Sequence, residues 1–183
     1  MHDEKAIIQS ILAGNCQAFA QLINRHQQQV YNYVLFLLKN NEDADEITQD
    51  CFVKAYRNLK SFRHDARFST WILRIAHNSA MTVLRKKRYS TVDIEQAKQL
   101  MDNSGSDYNL NRNELSTMLH AALDELKPDE QSVITLFYFN EKSVHEIATI
   151  TRLSVSNIKV KLMRSRKKLE QILSHTEIKA WME

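Results

Sequence analysis

Glycine and proline are nearly missing from this chain, with two and one respectively in 183 residues. So few turn-formers argue against a β-rich or loop-rich fold. With glycine only at positions 14 and 105, neither a glycine-rich phosphate loop nor a dinucleotide fingerprint can be built. The cysteines, Cys16 and Cys51, stand singly within helical patterns. They read as small buried hydrophobes in a reducing compartment rather than as a disulfide framework. No apolar run reaches bilayer length, VYNYVLFLLK being too short, and no cationic stretch followed by an apolar run opens the chain. The expectation is a cytoplasmic protein with no membrane insertion. Catalytic signatures are missing as well. His145-Glu146 begins like the zinc motif H-E-x-x-H, but Thr149 takes the second ligand position. The other histidines keep no ligand spacing with the cysteines and read as surface or capping residues. We therefore expect a non-enzyme with no metal and no cofactor.

What is present is helix, and charge placed unevenly along it. Net charge is only +3. Acids concentrate near residues 42–50, and bases at 85–88 and 159–168. That asymmetry suggests separate faces for a basic partner and for nucleic acid. Apolar periodicity predicts helices over Glu4–Leu12, Ala18–Lys39, from Asp43 or Asp45 to about Leu59, and from a Ser69 or Thr70 cap to about Lys87. Residues 89–112 are polar and aperiodic and read as a linker. Helix resumes at Asn113–Leu126, and Pro128 starts another, to about Phe139, with Asp129 and Glu130 at the positive end of its dipole.

The segment Ser143–Leu173 names a ligand class. Ser143 and Glu146 form a capping box ahead of a short apolar helix. A turn follows at Thr151–Leu153, and Ser154 is a second N-cap. The next helix sets Val155, Ile158, Leu162, Leu169 and Leu173 on one face, and Lys159, Lys161, Arg164, Arg166, Lys167 and Lys168 on the other. This is the pattern of a helix-turn-helix whose second helix suits a phosphate-lined groove. Arg152 occupies the turn where glycine is common, and it must accept a tight or left-handed conformation.

Two upstream segments complete the pattern. In Asn41–Lys54, Asp45, Gln49 and Phe52 fall near one helical face, with Glu42, Glu46 and Asp50 close by. They form either an ordinary acidic helix start or a docking face for a basic surface. In Phe62–Arg88, a loop of Phe62, Arg63, His64, Asp65, Ala66, Arg67 and Phe68 precedes a helix expected to expose Arg74, Asn78 and Arg85–Arg88. Aromatics interleaved with cations suit single-stranded DNA, although Phe62, Phe68 and Trp71 also fit as core anchors.

The order D-A-D-E-x-x-Q-D-x-F, then S-F-R-x-x-x-x-F-S-T-W-I-x-R-I-A-x-N, then a linker and a basic helix-turn-helix, resembles a bacterial RNA polymerase sigma factor. It is most similar to the extracytoplasmic-function group of the sigma-70 family. The resemblance implies an all-α chain of two small helical domains: sigma domain 2 at 1–90, a linker at 91–112 and sigma domain 4 at 113–183. It implies core RNA polymerase as partner, with the β′ clamp helices on Asp45, Glu46, Gln49, Asp50 and Phe52, and the β flap as a further contact. Promoter DNA is implied at two elements. The loop Phe62–Phe68 would capture an unstacked −10 base, with Arg74 and Asn78 beside it. Ser156, Asn157, Lys159, Val160, Lys161, Met163, Arg164 and Arg166 would read the −35 major groove, where Val160 and Met163 could favour thymine methyl groups. An anti-sigma factor is expected to restrain the protein. The rival readings are a stand-alone helix-turn-helix regulator and a helical adaptor for acidic proteins.

Overall fold

A computed structural model of the chain describes residues 2–92 and 118–174, which are helical with no strand among them. The first half holds α1 (His2–Leu12), α2 (Phe19–Leu38), α3 (Asn41–Arg57) and α4 (Phe68–Val92). The second holds α5 (118–124), α6 (Pro128–Ile134), α7 (Val144–Thr151) and α8 (Val155–Ser174). A π-turn, Thr135–Phe139, extends α6, and short 3-10 turns occupy Cys16–Ala18 and Leu59–Ser61.

The helix boundaries follow local chemistry. Gly14 sits at φ 107° after α1, where a side chain would be strained. Lys39 ends α2 in the left-handed region, its N–H donating to the Leu35 carbonyl. Asn40 then caps α3 by accepting from the Asp43 N–H at 2.8 Å. The helix therefore starts at Asn41, before the expected Asp43. Likewise α4 starts at Phe68, so neither Ser69 nor Thr70 is its cap. It also runs to Val92, past the expected end near Lys87, so the linker's first residues are helical. The remaining linker and the helix start expected at Asn113 lie outside the described residues.

Packing follows the apolar stripes. Leu22, Val30, Tyr33 and Val34 of α2 are wholly buried against α3 and α4, joined by Ala44, Ala55, Ile72 and Leu73. Each large side chain so removed from water contributes about 1.5–3 kcal/mol. Cys51 lies in this core, and burial pushes its thiol up to about 11, which keeps it inert. In the second half Val133, Ile134, Ile147, Ile150, Ile158 and Leu162 are buried and continue the same apolar core. The two halves touch along α4 with α7 and α2 with α6.

Candidate nucleic-acid interface

The helix-turn-helix forms as its sequence predicts. The Glu146 N–H donates to Ser143 Oγ at 3.3 Å, and the Ser143 N–H donates to Glu146 Oε2 at 3.0 Å. Arg152 ends α7 at φ 60°, a left-handed turn built without glycine. Ser154 caps α8 through the Asn157 N–H at 3.2 Å. Buried Ile147, Ile150, Ile158 and Leu162 hold α7 on α8. Ser156, Asn157, Lys159, Val160, Met163, Arg164 and Arg166 are exposed together along α8. Lys161 departs from them: it is half-buried and pairs with Asp129 of α6. Lys168 likewise donates to the Glu125 carbonyl. The Arg166 guanidinium lies 5.4 Å from the Phe137 ring centre and 5.5 Å from that of Tyr138, a cation–π arrangement. Part of the cation run therefore staples α8 to its own half, while Lys159 and Arg164 face outward.

The loop before α4 is organised differently. Phe62, Phe68 and Trp71 are buried and meet ring to ring at 5.2 to 5.9 Å. The aromatics expected as a stacking platform are thus core anchors that tie the loop to the bundle. Arg63, His64, Asp65 and Arg67 are exposed, and Ala66 is half-buried. His64 sits at φ 60° and turns the loop. A cavity of about 520 Å³ opens between Phe62, His64, Asp65 and Arg67 on one side and Glu4, Lys5 and Ile8 of α1 on the other. Nothing in the α1 sequence marked it as a wall of this cavity. Glu4 is held there by His26 Nε2 at 2.8 Å.

Arg74 is half-buried and Asn78 exposed. Both line a second cavity of about 650 Å³ between α3 and α4, together with Lys54, Lys86 and, from the helix-turn-helix, Arg152. Arg85, Lys86 and Lys87 continue as an exposed basic edge, with Lys87 paired to Asp43. The Arg88 side chain lies outside what is described.

On α3, Asp45, Glu46, Gln49 and Asp50 are exposed, forming an acidic ridge. Phe52 is not part of that surface: it is 5% exposed and packs edge-on against Phe19 at 6.5 Å. Its ring and Gln49 instead border an apolar groove of about 710 Å³, shared with Ile23, Val53 and Tyr56.

A set of polar contacts between the halves had no signal in the sequence. Tyr33 Oη lies 2.8 Å from His77 Nδ1 and 2.7 Å from Ser132 Oγ. Burial pushes the Tyr33 phenol up and the His77 imidazole down to about 4, so the ring is neutral at physiological pH. His77, read as a surface or capping residue, is in fact internal. Lys142 Nζ donates to Ser69 Oγ at 2.8 Å, and burial lowers its pKa. Thr70 Oγ1 donates to Glu146 Oε1 at 2.9 Å. For Glu146, burial acts to raise the pKa but is outweighed by the Ser143 and Thr70 hydrogen bonds and the Lys142 charge, so it falls. Among the described residues no cluster of His, Cys, Asp and Glu could hold a metal ion, and no helix is long and apolar enough to cross a membrane.

Comparison with known proteins accounts for both halves. Residues 22–89 match the family described as Sigma-70 region 2, and residues 116–169 match Sigma-70, region 4. The RNA polymerase sigma-H factor of Pseudomonas aeruginosa is similar, 27% identical over 93% of this chain and 93% of its own. The ECF RNA polymerase sigma factor SigW of Bacillus subtilis is 30% identical over 92% of this chain and 96% of its own. Among solved structures, CnrH in complex with the cytosolic domain of CnrY superposes with a TM-score of 0.71 at 26% identity, over 94% of this chain and 97% of that one. With both regions matched in order and relatives aligned nearly end to end, the chain belongs to the extracytoplasmic-function group of the sigma-70 family of RNA polymerase sigma factors.

Proposed function

We propose that this chain reads promoters as the dissociable specificity subunit of RNA polymerase, with a different task in each half. The first half, residues 1–90, holds core polymerase and opens the −10 element. The acidic ridge Asp45, Glu46, Gln49 and Asp50 offers its charge to the basic side of the β′ clamp helices, and the groove bordered by Phe52 offers apolar area beside it. The exposed polar groups of the loop, with Arg74 and Asn78, meet the displaced strand. The cavity between loop and α1 receives the unstacked base, whose extraction from the stack costs a few kcal/mol and is offset by pocket contacts. The second half, residues 113–183, docks α8 in the −35 major groove, with the β flap as its polymerase contact. There Asn157 and Arg164 reach base edges, Val160 and Met163 meet methyl groups, and Lys159 meets phosphate. The protein supplies binding energy and no bond chemistry. A restraining anti-sigma partner is expected from the family, and CnrH, a similar chain, is itself held by a second protein.

The observation that carries this reading is the pairing, in one chain, of an outward-facing cationic recognition helix with a separate loop cavity on an acidic, groove-bearing bundle. Run-off transcription with core enzyme on a promoter library tests it. Transcripts are expected only when this protein is added. Tight operator binding without any association with core polymerase would instead make it a stand-alone regulator.

A further inference from the structure

The outer face of α3 changes character along its length. Glu42, Glu46, Gln49, Val53 and Arg57 recur at helical spacing and are all exposed on one side of the helix. Lys60 follows, also exposed, in the 3-10 turn Leu59–Ser61. The stripe is acidic where α3 starts, apolar beyond Gln49 and basic where the helix ends. Its apolar part is Val53, 47% exposed, and Tyr56, 40% exposed, and both border the groove of about 710 Å³. Acids at a helix start and bases at its end also suit the helix dipole, so the charge order alone calls for no partner. Val53 and Tyr56 do, because large apolar groups held in water beside an open apolar groove are surface that a partner would cover. Among the described residues Glu42, Glu46, Arg57 and Lys60 form no ion pair, so their charges are available to the same partner.

The order of the charges selects that partner. A uniformly basic surface would satisfy Glu42 and Glu46 but be repelled at Arg57 and Lys60. A second α3 laid antiparallel satisfies both ends, because a two-fold axis turns the stripe onto itself. With the axis crossing α3 near Cys51 and Phe52, Glu46 of one copy faces Arg57 of the other, and Glu42 comes near Lys60. Glu46 and Arg57 lie about 16 Å apart along the helix, so the ion pairs bracket the apolar centre. Between them Val53 and Tyr56 of both copies leave water together. Asp50, close to the axis, keeps its own Lys54 at 3.9 Å.

We propose that this face of α3 docks a second copy of the chain in antiparallel register. Such a pair covers Glu46 and Gln49 and so withholds the ridge offered to polymerase, a consequence that, unlike the pairing itself, rests on the sigma-factor reading. Polymerase then binds the single chain and draws the pair apart by mass action.

Sedimentation velocity on the whole protein tests the pairing. The mass should rise from one chain toward two as concentration climbs from about 1 to about 200 μM, the range of a small, partly charged interface. Arg57→Glu and Glu46→Arg each set like charges against one another and should each weaken association by about tenfold or more. An equimolar mixture of the two variants should associate as the wild type does, because every arginine then faces a glutamate again. Circular dichroism checks that both variants keep their helicity. A wild type that stays monomeric over the whole range overturns the inference. So does a mixture that stays monomeric while the wild type pairs, since the contact would then lie elsewhere. Core polymerase added to the pair should yield a complex with one copy, and a complex that holds two overturns the exclusion. Absence of core-dependent run-off from the wild type would fail the sigma reading instead, while sedimentation still decides the pairing.

Discussion

The two regions proposed to face DNA are built on opposite plans. In α8 the reading side chains stand outward on a helix whose own back face buries Ile158 and Leu162. In the loop before α4 the large side chains point inward, and the exposed groups are the charged residues between them. A recognition helix entering a groove needs projecting groups on a rigid rod. A base pocket needs walls, and walls require the aromatics to be anchored. Large apolar side chains therefore sit oppositely in the two regions: Met163 is 63% exposed, whereas Phe68 is 1% exposed and structural.

Stability measurements break or confirm that contrast most sharply. Phe68→Ala should cost about 3–5 kcal/mol in urea unfolding, as for any large ring removed from a packed core. Met163→Ala should stay within about 0.5 kcal/mol while relaxing −35 sequence preference. If Phe68→Ala cost under about 1 kcal/mol, the loop aromatics would not be anchors.

Acid distinguishes the regions next. His77 has its folded pKa depressed to about 4, against an unfolded value near 6.5. The unfolded chain binds the proton more readily, so the stability tied to neutral His77 is present above pH 6.5 and is lost as pH falls through the folded value. From pH 7 to pH 5 this amounts to about 2 kcal/mol. His77→Gln should flatten that part of the pH–stability curve. An unchanged curve in the variant would place the acid sensitivity elsewhere. A smaller effect, about 1 kcal/mol at moderate salt, is expected for Lys159→Ala on −35 duplex binding, with the log–log salt slope falling by about one. Arg67→Ala should leave that duplex unaffected and weaken a single-stranded −10 oligonucleotide. Equal effects of both variants on both ligands would erase the division of labour.

The difference between the regions also explains what could be read in advance. The helix-turn-helix was legible because its determinants are local: the Ser143–Glu146 box, the Ser154 cap and an apolar stripe each lie within a few residues of what they organise. The first-half site depends on residues distant in sequence. Glu4 and Lys5 reach the loop cavity only because α1 folds over it, and no pattern within α1 announces that. The Ser69 and Thr70 hydroxyls look like helix caps, yet tertiary partners claim them: Ser69 accepts from Lys142 and Thr70 donates to Glu146. Lys161 looked like a DNA contact by its place in a cation run, and Asp129, on another helix, redirects it. Charge pattern picks out the cationic helix, while pairing across the fold decides which of its charges are available.

Arg152 offers the finest test, because it belongs to both regions. Its left-handed backbone, at φ 60°, costs a side-chain-bearing residue about 1–2 kcal/mol. Glycine would remove that strain but lose about 0.5–1 kcal/mol to the greater freedom of the unfolded chain. Arg152→Gly should therefore stabilise the protein by about 0.5–1 kcal/mol in thermal unfolding, if the side chain contributes nothing in the folded state. The guanidinium lines the cavity shared with Asn78 and Arg74, where Glu46 and Asp50 supply opposite charge. A net loss of stability in Arg152→Gly, reversed by Arg152→Lys, would show that this contact outweighs the strain. A net gain would leave the turn as an ordinary strained corner, with α8 positioned by its caps and apolar face alone.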